Sequence, residues 1–436
     1  MTAPDECINN SIRMRILMKL EKPIQWIANS SSRIERPEPI VPEILPPELP
    51  RKVRSFHRQI PGFRMSPLKS LPNLANRLGL GGIWVKDESA RLDLGSFKVL
   101  GGSYAIYQLI IRRLGLENQD ISFSDLTNGA LREKLGNLVF AAATDGNHGR
   151  GVAWSAAQMG FGAVIYVHAL TSRARIQAIE RNGARVVVVD GNYDDAVRQV
   201  YRDAQVNGWE VVSDTAWEGY SDIPKWVMQG YTTMLSEAQE QLAGQGLVRP
   251  THLFVQAGVG SLAASTIGFY DNLFGNQRPL SVVVEPTQAA CLYQSALVND
   301  GLPHSVGGNL DTIMAGLACG DPNPQAWQIL KYCADFFVKC PDYVAAKGMR
   351  VYGVPLRGDP FIVSGESGAV TLGALMYVME YGDARELRSR LNLGLESQVL
   401  LINSEGNTSP DDFRNVMWEG GIPVPEKYKV HPASER

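Results

Sequence analysis

A lysine attacks a carbonyl only as its neutral amine, and Lys98 sits where that form is favoured. It follows Leu94-Gly95-Ser96-Phe97 and precedes Val99 and Leu100, so apolar neighbours desolvate the amine and draw it toward the reactive form. The same placement also suits a surface lysine snorkelling from a helix start. A second group of reactive types is Ala143-Thr144-Asp145-Gly146-Asn147-His148-Gly149. Glycines there let backbone approach a ligand, and the helix that follows offers free amides to a carboxylate. A plain turn in which Asp145 or Asn147 caps the helix is the alternative. The third group, Gln256-Ala257-Gly258-Val259-Gly260-Ser261-Leu262-Ala263-Ala264, has the glycines and hydroxyl of a phosphate cradle at a helix start. A dinucleotide fingerprint would need glycine at Ala263, although Glu285 lies near the expected distance for a ribose-binding acid. A nicotinamide-dependent oxidoreductase therefore stays open at this point.

These loops need elements to hold them. From Leu80 onward short β-branched runs alternate with helical periods. Strands are expected at 83–86, 138–143, 163–167, 185–189, 251–256, 281–285 and 399–403, and helices at 97–114, 149–159, 172–182 and 194–206. Continuous apolar strands alternating with helices predict an α/β fold with parallel sheets, one from the middle of the chain and one from both flanks. Each chemical segment then falls at a strand-to-helix turn or a helix start. Before them, residues 35–50 are dense in proline. Proline fixes φ and removes amide donors, which predicts an extended surface run, so residues 1–50 read as an extension ahead of the catalytic body.

With 436 residues, 44% hydrophobic and 20% charged, the chain has the make-up of a folded protein of two or three domains. A net charge of −3 and the lack of a basic stripe argue against nucleic acid or an anionic membrane surface as partner. The longest apolar runs are far too short to span a bilayer. The acidic start, MTAPDECINN, lacks the apolar core of a secretory signal, and a cytoplasmic location is expected. Cys7, Cys291, Cys319, Cys333 and Cys340 form no CxxC pair, which fits a reducing compartment; a local Cys291–Cys319 bridge stays open. His57, His168, His252, His304 and His431 show no ligand spacing, and no metal site is expected.

Taken in order, GSFK, TDGNHGRG and QAGVGS resemble the fold-type II pyridoxal-phosphate (PLP) enzymes, the tryptophan synthase β-like family. Several longer stretches are similar to the diaminopropionate ammonia-lyases in particular: FKVLGGSYAI (97–106), ATDGNHGRGVAW (143–154), DTAWEGY (214–220), VVEPTQAACLYQSA (283–296), DTIMAGLACGDP (311–322), SGESGA (364–369) and LINSEGNT (401–408). The resemblance runs over roughly residues 60 to 420. It implies two domains, each with a central, mostly parallel sheet flanked by helices. Residues 51–100 and 236–436 would form the large PLP-binding domain, and 101–235 the small domain carrying the substrate loop.

The resemblance also implies roles. Lys98 would be the Schiff-base lysine, Asn147 the partner of the cofactor's 3′ oxygen, and Gly258, Val259, Gly260 and Ser261 the phosphate loop. Ser404 would face the pyridine nitrogen. Substrate contacts would come from Thr144, Asp145, Gly146, His148 and Ser96. Asp145 and Asp214 would be acid–base groups on opposite faces, serving both enantiomers of a small amino acid; Asp214 as a turn cap, with Glu218 doing its work, is the alternative. Glu366 and Ser367 would lie on a loop near the cofactor. The implied reaction is elimination of ammonia from 2,3-diaminopropionate by a homodimer. Ser96, where the ammonia-lyases usually have alanine, matches serine and threonine dehydratases, so a dehydratase or racemase is an alternative. A non-catalytic PLP-binding protein, docking through its proline-rich segment, is another.

Overall fold

The computed structural model describes residues 24–33, 40–127, 129–144, 146–169, 171–191, 193–217 and 219–429. Cys7, Asp145, Glu218 and His431 lie outside them. Among the described residues the strands form two sheets. Seven strands, β1 (Gln25–Ala28), β2 (Leu68–Ser70), β3 (Gly82–Asp87), β8 (His252–Gln256), β9 (Leu280–Pro286), β10 (Phe336–Cys340) and β11 (Gln398–Asn403), take the order β1-β10-β9-β8-β11-β3-β2. Its five inner strands run parallel and the two edge strands antiparallel. The other sheet contains β4 (Val139–Thr144), β5 (Gly162–His168), β6 (Arg185–Val189) and β7 (Glu210–Val211), all parallel in the order β6-β5-β4-β7. The small sheet comes from the middle of the chain and the large one from both flanks, as the alternation of strands and helices predicts.

The inner strands are buried along nearly their whole length, Phe254, Val255 and Val282–Val284 among them, as helices on both faces of a parallel sheet require. Inner strand β10 and edge strands β1, β2 and β7 were not among the expected strands.

The reading of residues 35–50 as an extended surface run is corrected where it can be seen, and the chain just before it is also tied to the large sheet. Residues 25–28 pair in register with β10, and Asn29 donates to the carbonyl of Ala334 at 2.7 Å. Ile40–Ile44 and Leu49–His57 are helical. Pro50 occupies the first turn of its helix, where a missing N–H costs nothing. Val41, Ile44 and Leu45 are buried, and Leu45 packs at Gly268 on the Ser261–Phe274 helix, leaving no room for a side chain there. Apolar burial decided this segment, not its proline content. Cys291, Cys319, Cys333 and Cys340 are thiols and not disulfides, so the bridge left open between the first two is not formed.

Candidate active site

Lys98 opens the Lys98–Leu114 helix. The turn before it is held by main chain, with Phe97 N–H donating to the Ser404 carbonyl at 3.1 Å and Gly406 N–H to the Gly95 carbonyl at 2.9 Å, and by Arg150 Nη1, which donates to the Leu94 carbonyl at 2.8 Å. The end of β11 thus fixes the entry to the lysine. Ser96 is buried, and its hydroxyl accepts from the Lys98 amide at 3.3 Å.

The Lys98 amine reaches across to Asp214, 2.5 Å from its Oδ2. Asp214 follows β7 and is almost wholly buried. Burial pushes its carboxyl up, but the Lys98 ammonium and then His148 outweigh that, and the group settles at about 2. Its main-chain carbonyl accepts from the Ser261 hydroxyl at 2.8 Å, and Asn323 Nδ2 donates to that hydroxyl at 2.9 Å. Ser261, expected in the phosphate loop, therefore also anchors the acid beside the lysine. Asn323 has no mark in its local sequence that would have singled it out.

Gly258-Val259-Gly260 connects β8 to the Ser261–Phe274 helix. Gly260 lies at φ +100°, a conformation open mainly to glycine. A Cβ at Gly258 would come within 3.1 Å of Cys319 Sγ and 3.2 Å of Leu317 Cα. No side chain caps the first turn of this helix, so its amides remain available to an anion. Lining the same cavity, Ser404 Oγ accepts from Gln256 Nε2 at 2.7 Å. With that lone pair engaged, the hydroxyl proton is directed elsewhere. Gln256 stands at the head of the glycine motif, yet its type alone did not reveal this job.

On the small-sheet side, Thr144 Oγ1 accepts from the amides of Gly146 at 2.8 Å and Gly149 at 3.1 Å, bracing the start of the Asn147–Gln158 helix. Gly146 packs against the Arg175 side chain, with a Cβ there falling 3.1 Å from Arg175 Cδ. His148 Nε2 lies 2.8 Å from the Val212 carbonyl, which can only accept, so that nitrogen carries the proton. Asn147 Nδ2 donates to Glu405 Oε2 at 2.5 Å. Glu366 is buried nearby; burial, and then the charge of Glu405, push its carboxyl up to about 8.

Lys98, Ser96, Asn147, Asp214, Gly258, Val259, Gly260, Ser261 and Ser404 line one cavity. Lys98 and Asp214 also line a cleft of about 940 Å³ with Thr144 and His148. All the expected site residues that can be seen, except Gly146, line one or both of these spaces. Glu285 is not among them: it is buried and caps the Cys291–Val298 helix by accepting from the amides of Leu292 at 2.8 Å and Tyr293 at 2.7 Å. It has no carboxylate to offer a ribose, which removes the reason for an oxidoreductase. Among the described residues no His, Cys, Asp and Glu cluster could hold a metal, and no helix is long and apolar enough to cross a membrane.

An amine in a partly dry site, a glycine-walled helix start without a cap, and an unspent hydroxyl proton fit the aldehyde, phosphate and ring nitrogen of pyridoxal phosphate. The family model described as "Pyridoxal-phosphate dependent enzyme" matches residues 60–405. The chain is 49% identical over 367 residues to the diaminopropionate ammonia-lyase of Escherichia coli K12, covering 84% of this chain and 90% of that protein. Against the diaminopropionate ammonia-lyase of Salmonella typhimurium LT2 it is 47% identical over 370 residues, covering 85% and 92%. The crystal structure of the Escherichia coli diaminopropionate ammonia-lyase in complex with D-serine superposes with a TM-score of 0.84 at 44% identity, over 92% of this chain and 98% of that one. Threonine deaminase isoform 2 of Solanum lycopersicum shares the fold alone, with a TM-score of 0.68 at 20% identity, over 91% and 97%.

Proposed function

The chain belongs to the pyridoxal-phosphate-dependent enzyme family, and from that premise we propose that it eliminates ammonia from 2,3-diaminopropionate, giving pyruvate and ammonia. The observation that carries the reading is the Lys98–Asp214 pair, 2.5 Å apart, on the wall of the cleft and beside the uncapped glycine loop. Identities of 47% and 49% to diaminopropionate ammonia-lyases support the substrate.

Lys98 would hold the cofactor at its aldehyde, Asn147 its 3′ oxygen, the amides of Gly258–Ser261 its phosphate and Ser404 its ring nitrogen. When bound, the cofactor supplies a conjugated ring that takes up electron density from Cα. The chain's own groups manage the protons. Asp214 is ionised at neutral pH and accepts the α-proton from one face, while Asp145 serves the opposite face, so the two enantiomers use different bases. Lys98 Nζ, as an ammonium, hands its proton to the departing β-nitrogen, and the Cβ–N bond breaks to release ammonia. The 2-aminoacrylate set free takes up water and yields pyruvate and a second ammonia. Thr144 and Gly146 hold the loop against the substrate carboxylate, and His148 keeps Asp214 charged. The working form is a homodimer in the cytoplasm, a location supported by four cysteines left as thiols.

The test is release of ammonia and pyruvate from D- and L-diaminopropionate, run beside D- and L-serine and threonine with a 2-oxobutanoate readout. Diaminopropionate should exceed the hydroxy amino acids in kcat/KM by at least about tenfold. A preference for serine or threonine would transfer the chain to the dehydratases.

A further inference from the structure

We infer that Glu405 is a positioning residue: reaching across the cleft from the end of β11, it fixes the Asn147 carboxamide so that an N–H, and not the carbonyl, faces the cofactor's oxygen. The inference rests on the reading of Asn147 as the partner of that oxygen and goes beyond it by assigning what sets the amide's direction. The carboxylate is itself clamped on the large-sheet side. Its Oε1 accepts from the Ser367 amide at 3.1 Å, and its Oε2 accepts from Thr408 Oγ1 at 3.3 Å and Asn147 Nδ2 at 2.5 Å. Glu405 is nearly fully buried, so water does not compete for these contacts.

A carboxamide turned by half a rotation exchanges its donor and acceptor ends at little steric cost, so shape alone cannot choose between them. A carboxylate chooses, because it only accepts, and the amide's NH2 must point at it. That group has two N–H bonds. With one spent on Glu405, the other projects from the same nitrogen on the cavity side, where Asn147 lines the wall with Ser96, Lys98 and Ser404. An electron-rich oxygen placed there meets a donor instead of a carbonyl. The contact also links the two layers: Asn147 begins the helix that follows β4, while Glu405 follows β11, 258 residues away. The segment from Ser404 to Gly406 therefore aligns Lys98 through its backbone and Asn147 through a side chain. Glu366, next to Ser367 at the start of the same helix, has Glu405, Arg175 and Asp412 as its charged neighbours.

The experiment compares wild type, E405Q, N147A and N147D. The glutamine side chain of E405Q keeps the shape of the glutamate but can donate to the Asn147 carbonyl and allow the amide to turn. In the holoenzyme E405Q and N147A should both shift the bound cofactor's visible absorption band and alter its pH titration, with E405Q losing on the order of tenfold in kcat and little in KM. In the apoprotein, where no cofactor contributes, hydrogen exchange over residues 146–150 should quicken in E405Q. N147D, which sets an acceptor against Glu405, reads the same contact from the other side and should behave alike if E405Q folds poorly. A shifted band in N147A with an unshifted one in E405Q overturns the inference and leaves the reading of Asn147 standing. An N147A spectrum identical to wild type overturns both, and unchanged apoprotein exchange in E405Q overturns the contact itself.

Discussion

At the scale of single residues, the site works by pairing charges that would be costly alone. Asp214 is buried, yet Lys98 and His148 hold it at about 2, so it stays ionised across any physiological pH. If Asp214 and Asp145 serve opposite faces, D214N and D145N should each lower kcat for one enantiomer of diaminopropionate by roughly a hundredfold or more and spare the other; equal losses on both would reject two-faced proton transfer. Glu366 shows the reverse case. Its carboxyl stands near 8 in the folded protein, against an ordinary value of 4.5, because burial and the neighbouring Glu405 disfavour its charge. Below pH 4.5 it is protonated whether folded or unfolded and exacts no penalty. Between 4.5 and 8 the unfolded chain ionises first, so stability falls as pH rises, by a few kcal/mol at most. E366Q should flatten that slope in urea melts taken across this window, and an unchanged slope would show that another group carries it.

At the scale of elements, Lys98 is placed by close helix packing. The Lys98–Leu114 helix lies against the Asp222–Gly230 helix through small residues. A Cβ on Gly230 would collide with the Leu100 carbonyl and come within 2.8 Å of Gly101 Cα. On another side Gly151, in the Asn147–Gln158 helix, meets Val99 Cα at 3.0 Å by the same measure. These contacts are backbone against backbone and cannot yield by rotating a side chain. G230A should therefore destabilise the protein by about 1–3 kcal/mol and lower kcat by tilting the first turn that carries Lys98. A variant with wild-type melting and turnover would show that the interface is looser than it looks. The Gly-x-Gly loop after β8 was legible in the sequence because positive φ and close approach leave a glycine behind. Its second task, anchoring Asp214 through Ser261, was not legible, because a serine at a helix start looks the same whichever acceptor it finds.

At the scale of the whole molecule, one buried charge network ties distant segments to the turn before the lysine. Arg91 pairs with Glu88 at 2.8 Å and with Glu237 at 2.6 Å, and Lys86 pairs with Glu237 at 2.9 Å, all with side chains fully buried. The Ser66 carbonyl accepts from Lys86 at 2.7 Å. E237A would leave Lys86 in the interior without its carboxylate and Arg91 with Glu88 alone, and a loss of about 3–5 kcal/mol in unfolding free energy is expected; a loss under about 1 kcal/mol would mean that admitted water or a neutral Lys86 compensates.

What the sequence alone determined were the properties that local chemistry writes into local residues. The period of apolar runs gave the parallel strands and their helices, the glycines marked the turns, Lys98 read as a desolvated amine and Gly258–Ser261 as a phosphate cradle, whereas a cofactor role for Asn147 came only with the family resemblance of its motif. Tertiary structure alone decided the partners. Whether Glu285 met a ribose or a helix end, whether a proline-rich stretch lay outside the core or on it, and whether Asn147 had Glu405 to hold it all depended on residues far along the chain. Hydrogen bonds and burial act over ångströms in space, and spacing in sequence carries no record of which distant groups folding brings within that reach.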